Sequence, residues 1–175
     1  FAVSRLVAGL YRAGVVAAPM PDLTYALDAL LGAVTPDTRL VAVCNPNNPT
    51  GTAVGQEDID RFIDRLPGHC LAVFDEAYIE MMPEDRRPDV MRYVREGREN
   101  VLVLRTFSKA YGLAGLRIGY AAAAPEVIGL LNRVRQPFNV NVLAQAAAEA
   151  ALDDDAHVER TRTLAAEGCR TVAAA

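Results

Sequence analysis

Lysine is nearly missing from this sequence: among 18 lysines and arginines in 175 residues, only Lys109 is a lysine. Chemistry that needs a primary side-chain amine therefore rests on one position. Cysteine is scarce too. Cys44, Cys70 and Cys169 are odd in number and far apart, which argues against a disulfide framework and makes the cytoplasm the natural compartment. With only His69 and His157, no Cys/His ligand spacing exists and no metal site is expected. Positive charge is in deficit, and the formal net charge of −4 argues against a nucleic-acid partner. No apolar run is long enough to span a bilayer, so no membrane association is expected. The amino terminus lacks a basic region followed by an apolar stretch and cleavage site, so it does not read as a signal peptide. Repeats and low-complexity linkers are absent.

What is present is an alternation of helical and strand patterns in a chain long enough for one domain with a sizeable core, half of it (51%) hydrophobic. Apolar spacing predicts helices over Val3–Ala13, Tyr25–Ala33, Gln56–Leu66, Val90–Glu96, Pro125–Arg135 and Val142–Leu152. Short apolar runs predict strands at Val15–Ala18, Leu40–Cys44, Leu71–Phe74, Val101–Leu104 and Ile118–Ala122. Such alternation implies an α/β fold, with a mainly parallel sheet sandwiched by helices and joined by right-handed crossovers. From Asp153 the character changes. Asp153-Asp154-Asp155 reads as a helix start, and His157–Ala175 carries charges at helical spacing.

Three clusters carry chemistry. After the strand Val101–Leu104 comes Arg105-Thr106-Phe107-Ser108-Lys109, with Arg117 eight residues further on. Hydroxyls and a guanidinium around one amine suit a phosphorylated aldehyde, the amine forming a Schiff base while the others hold the phosphate. A lone lysine there would more simply be a solvated loop residue. Upstream, Leu40–Val43 leads into Cys44-Asn45-Pro46-Asn47-Asn48-Pro49-Thr50-Gly51. The two Asn-Pro steps enforce a rigid, non-helical turn, and open α/β sheets bind ligands at this end of their strands. An ordinary turn would use the same residues. Between these, Val73-Phe74 runs into Asp75-Glu76-Ala77-Tyr78. A buried carboxylate at a strand end needs a cation, which a protonated pyridine nitrogen supplies; capping of a following helix is the competing reading.

Taken together and in this order, Asn-Pro-Asn-Asn-Pro-Thr-Gly, Asp-Glu-Ala-Tyr and Arg-Thr-Phe-Ser-Lys resemble the fold-type I pyridoxal-phosphate aminotransferases, and within them the histidinol-phosphate aminotransferase branch. The resemblance reaches Pro137-Phe138-Asn139-Val140-Asn141 and covers essentially the whole chain. It implies pyridoxal 5'-phosphate as cofactor, with Lys109 as Schiff-base lysine and general base and Asp75 on the pyridine nitrogen. Ala77 would lie against one ring face, and Asn48 with Tyr78 would hydrogen-bond the phenolic oxygen. Thr106, Ser108 and Arg117 would form the phosphate cup, and Asn141 would approach substrate. An amino donor and a 2-oxo acid acceptor are the implied substrates, histidinol phosphate with 2-oxoglutarate foremost, and a homodimer the implied assembly. The resemblance further implies that Ile118–Ala122 runs antiparallel to its neighbour. Residues 1–152 then correspond to an incomplete cofactor-binding large domain, and 153–175 to a helix leading toward a small domain not contained in this chain. With the amino-terminal arm also outside it, the 175 residues alone are not expected to be active. An aromatic amino acid aminotransferase, a phospho-amino-acid decarboxylase of the same fold and a silent fragment retaining the fold are the alternatives.

Overall fold

The computed structural model describes residues 2–175, with side chains from residue 5 onward. Four of the apolar runs form one sheet, β1 (Leu40–Cys44), β2 (Leu71–Asp75), β3 (Val101–Thr106) and β4 (Gly119–Ala123), in that spatial order. β1, β2 and β3 run parallel, with Val43 opposite Phe74 and Phe74 opposite Val103. β4 is antiparallel to β3, with Val103 opposite Ala122 and Arg105 opposite Tyr120. The sheet is thus mainly parallel with one antiparallel edge, as the sequence reading expects.

The helices are α1 (Ala2–Leu10), α2 (Leu27–Gly32), α3 (Gln56–Arg65), α4 (Met91–Arg95), α5 (Pro125–Val134), α6 (Val142–Leu152) and α7 (Asp155–Ala173). α7 starts within the predicted aspartate run, where Asp154 Oδ1 accepts from the His157 backbone N–H at 2.9 Å and satisfies a free helix-end donor.

Because side chains alternate along a strand, Val41, Val43, Ala72, Phe74, Val101 and Val103 share one face, all buried. Leu27 of α2, Ile59, Phe62 and Ile63 of α3, and Val90 and Tyr93 at α4 join them in one core. Phe62 meets Phe74 edge-on, with ring centroids 6.3 Å apart. Each such side chain contributes roughly 1.5–3 kcal/mol by leaving water, so this face holds the sheet together. The opposite face is more open. Leu40 is exposed, whereas Cys44, Val73, Asp75, Leu104 and Thr106 are half-buried, and α5 packs against β4 at its edge.

One predicted strand is corrected. Val15–Ala18 pairs with no described strand, and Val15 and Val16 are exposed; a short apolar run has no ladder without a neighbour to complete its hydrogen bonds. Two boundaries also move outward: Asp75 and Thr106 are strand residues rather than loop residues. Among the described residues no helix is long and apolar enough to cross a membrane.

Candidate active site

The carboxyl ends of β1, β2 and β3 lie side by side, which gathers the three sequence clusters. The turn after β1 assigns its asparagines different work. Asn45 is buried: its Nδ2 donates to the Val54 carbonyl at 3.1 Å, its Oδ1 accepts from the Val54 N–H at 2.9 Å, and its own N–H donates to the Asp75 carbonyl at 3.0 Å. Asn47 closes the turn through Thr50 Oγ1 at 2.8 Å, and Gly51 takes the left-handed conformation there (φ 72°) that glycine tolerates. Only Asn48 points its amide away from the turn, donating to the Tyr78 hydroxyl at 3.1 Å. Lys109 Nζ stands 5.2 Å from the centre of the same Tyr78 ring, within range of a cation–π contact. Asn48, Tyr78 and Lys109, three predicted site residues from three separate loops, thus meet.

Asp75 ends β2 on the more open face of the sheet. Its Oδ1 accepts from the Ala77 N–H at 3.1 Å, turning the chain sharply and placing Ala77 next to it. Its Oδ2 lies 3.9 Å from Cys44 Sγ. Burial, then the neighbouring Asp75 carboxylate, push the Cys44 thiol up, so it stays protonated and directs its S–H at Asp75. Burial and then Cys44 likewise raise the Tyr25 phenol beside it. Among the described residues no cation hydrogen-bonds the Asp75 carboxylate, an arrangement suited to a cationic ring nitrogen.

β3 ends in Thr106, whose Oγ1 accepts from the Ser108 N–H at 3.1 Å. This bond shapes the bend carrying the exposed Lys109 and leaves both hydroxyl protons free to donate to an anion. After Lys109 the chain hooks back into β4. Gly112 (φ 70°) and Arg117 (φ 55°) are both left-handed, and a Cβ on Gly112 would come within 3.3 Å of His157 in α7. A Cβ on Gly119 would lie 2.7 Å from the Arg105 carbonyl, so only glycine permits this crossing. Arg117 is exposed and donates to the Ala114 carbonyl of its own turn at 2.7 Å. Asn141 caps a helix. Its Oδ1 accepts from the Ala144 N–H at 2.9 Å as the amino-terminal cap of α6.

The sequence reading missed one pair at this site. Glu76 is fully buried on the core face, and its Oε2 accepts from Arg105 Nε at 2.9 Å and from Nη2 at 2.8 Å. Burial outweighs Arg105 and raises the Glu76 carboxyl to about 7. Period-two alternation was the available signal: 72, 74 and 76, like 101, 103 and 105, fall on one face. An open cavity of 1110 Å³ is lined by Asn48 and Tyr78 together with Pro49, Met81, Arg86 and Arg87. Lys109 and Asp75 are outside it.

The donor set fits pyridoxal phosphate: a carboxylate for the ring nitrogen, a paired amide and phenol for the ring oxygen, an amine for the aldehyde and hydroxyls for the phosphate. Fold and site together define a fold-type I α/β protein of the pyridoxal-phosphate class. The chain belongs to the family "Aminotransferase class I and II", which matches residues 6–173. It is 56% identical to histidinol-phosphate aminotransferase from Moorella thermoacetica, over 86% of this chain and 39% of that protein. It is also 53% identical to aromatic amino acid aminotransferase from Mycobacterium bovis, over 89% of this chain and 44% of that protein. The crystal structure of histidinol-phosphate aminotransferase from Sinorhizobium meliloti in complex with pyridoxal-5'-phosphate superposes with a TM-score of 0.85 at 34% identity, over 93% of this chain and 44% of that one. The chain spans less than half the length of these relatives.

Proposed function

We propose that this chain forms the cofactor-binding half of a pyridoxal-phosphate-dependent aminotransferase acting on histidinol phosphate, with a 2-oxo acid such as 2-oxoglutarate as amino acceptor. The observation that carries the reading is the convergence of Lys109, Tyr78 and Asn48 beside the strand end bearing Asp75. The cofactor, when bound, supplies an aldehyde for the amine and a ring that draws off negative charge. Lys109 is the amine that would hold the aldehyde and would serve as the base for the amino donor's α-proton. Asp75 keeps the ring nitrogen protonated. Asn48 and Tyr78 donate to the ring oxygen and fix the ring's rotation, while Ala77, being small, leaves room for a ring face. Thr106, Ser108 and Arg117 hold the phosphate.

The identities of 52–56% to histidinol-phosphate aminotransferases from Moorella and Akkermansia support this substrate. The equally similar aromatic amino acid aminotransferases favour, as a second reading, an aromatic amino donor at the same site. We further propose a homodimer as the working assembly, supported by apolar side chains left exposed on α5 and α6, namely Leu130, Val134, Val142 and Leu143. Trapping with borohydride in the presence of pyridoxal phosphate, followed by peptide mapping, tests the cofactor assignment. Label is expected on Lys109 and to vanish in Lys109→Ala, and a wild-type Lys109 peptide without label would defeat it. Comparing histidinol phosphate with phenylalanine as amino donor decides between the two substrates.

A further inference from the structure

The Glu76–Arg105 pair lies outside the reacting groups, yet each partner sits next to them in the chain. Glu76 stands between Asp75 and Ala77, and Arg105 directly precedes Thr106. The Glu76 N–H donates to the Leu104 carbonyl at 2.9 Å, so backbone and side chain both tie the end of β2 to the end of β3. The arrangement is odd for a purely stabilising one. Both Arg105 nitrogens donate to a single oxygen, Oε2, and Oε1 is buried with no hydrogen-bond partner among the described residues. Glu80, in the 3-10 turn Ile79–Met81, is also buried with an unpartnered oxygen, and its carboxyl too is raised, chiefly by burial. Of these two buried carboxyls only Glu76 is bonded to Arg105, while Glu80 feels Arg105 and Arg87 as nearby charges. An apolar residue at 76 would fill the same core position without that cost.

We propose that Glu76 is a positioning residue: its ion pair with Arg105 locks the end of β3 against the end of β2, and so sets where Thr106, Ser108 and Lys109 stand relative to Asp75. The inference rests on the cofactor assignment given above. It predicts a site whose order depends on pH. The charged groups acting on Glu76 are Arg105 of β3, Glu80 of the 3-10 turn and Asp89 before α4. Arg87 acts on Glu80, and Tyr120 of β4 and Tyr111 of the hook lie near Arg105. Arg105 favours the ionised form; burial, Glu80 and Asp89 favour the protonated one, and the balance falls at about 7. Below that pH the lock loses its charge and the Lys109 bend loosens; above it the lock is closed.

Because Lys109 is the sole lysine, its modification reads out the bend directly. The test measures, from pH 6 to 9, the initial rate at which pyridoxal phosphate and, separately, phosphate-free pyridoxal are trapped on Lys109 by borohydride, with peptide mapping to set the amino terminus aside. In the wild type the rate is expected to show an inflection near pH 7 added to the lysine's own titration. In Glu76→Gln that inflection disappears, and the rate with pyridoxal phosphate falls roughly tenfold at pH 8. Arg105→Gln, which leaves Glu76 protonated, reproduces the Glu76→Gln profile and serves if that variant does not fold. A wild-type profile without the inflection, or one unchanged in both variants, overturns the proposal. Failure of the cofactor assignment looks different: pyridoxal phosphate then reacts no faster than pyridoxal, while the inflection with pyridoxal still decides the role of Glu76.

Discussion

Replacing Glu76 with glutamine should make this protein more stable at alkaline pH, although it removes a buried ion pair. The folded-state carboxyl titrates at about 7, against 4.5 in the open chain. Between those values the unfolded chain releases a proton that the folded chain retains, so stability falls as pH rises. Below 4.5 both states are protonated and the group contributes nothing; above 7 both are ionised and the full cost is present. At about 1.4 kcal/mol per pH unit, the interval amounts to roughly 3 kcal/mol. The glutamine variant lacks this slope. Arg105 retains 22% exposure of its side chain and can turn to water, so loss of its partner is partly offset. The stability difference between variant and wild type should therefore move in the variant's favour by about 2–3 kcal/mol between pH 4.5 and pH 8. For a domain of this size that is on the order of 5–10 °C in melting temperature. Thermal or urea unfolding followed by circular dichroism across that range measures it. Melting curves that keep a constant gap from pH 4.5 to 8 would show that Glu76 is not held protonated, and the reasoning about burial would be wrong.

Asp75→Asn should retain pyridoxal phosphate but lose turnover on the order of 10²–10⁴-fold, read in a glutamate-formation assay; near wild-type turnover would mean that something else holds the ring nitrogen. Asn141→Ala should cost about 1 kcal/mol of stability through loss of the α6 cap and leave the Michaelis constants unchanged, whereas a raised constant for the amino donor would restore the substrate role expected from the resemblance. The 175-residue chain should bind pyridoxal phosphate weakly and show no transamination, while a version extended to the length of its relatives should be an active dimer by light scattering; a monomeric, fully active 175-residue protein would refute this.

Much of this arrangement was legible in the sequence because buried parallel strands declare themselves as short apolar runs, and each functional cluster follows such a run directly. Leu40–Cys44, Leu71–Phe74 and Val101–Leu104 fall within a residue or two of the observed strands, so the neighbourhood of Asn48, Asp75 and Lys109 followed from topology. Val15–Ala18 failed because apolar character alone does not make a strand; pairing does. The capping role of Asn141 was also available locally, from its position directly before the helix Val142–Leu152, beside the substrate role that the resemblance implies. Glu76 was passed over since a charged residue is presumed solvated until its register is counted, and the alternation through Ala72 and Phe74 places it inside. The division of labour among Asn45, Asn47 and Asn48 could not be read locally. It depends on Val54, Thr50 and Tyr78, which arrive from three different distances along the chain.

That division also bears on how the protein ages. An asparagine deamidates chiefly when the backbone nitrogen of the next residue attacks the side-chain amide and closes a five-membered imide. Proline has no N–H with which to do so. Asn48, whose amide faces Tyr78 and would otherwise become a carboxylate there, is followed by Pro49, and the buried Asn45 is followed by Pro46. Asn47 alone precedes a residue with a backbone N–H, and it is itself buried with its amide engaged by Thr50. The same prolines that stiffen the turn therefore close the main route by which its amides would be lost, and the charge pattern around the ring-binding position is protected for the lifetime of the chain.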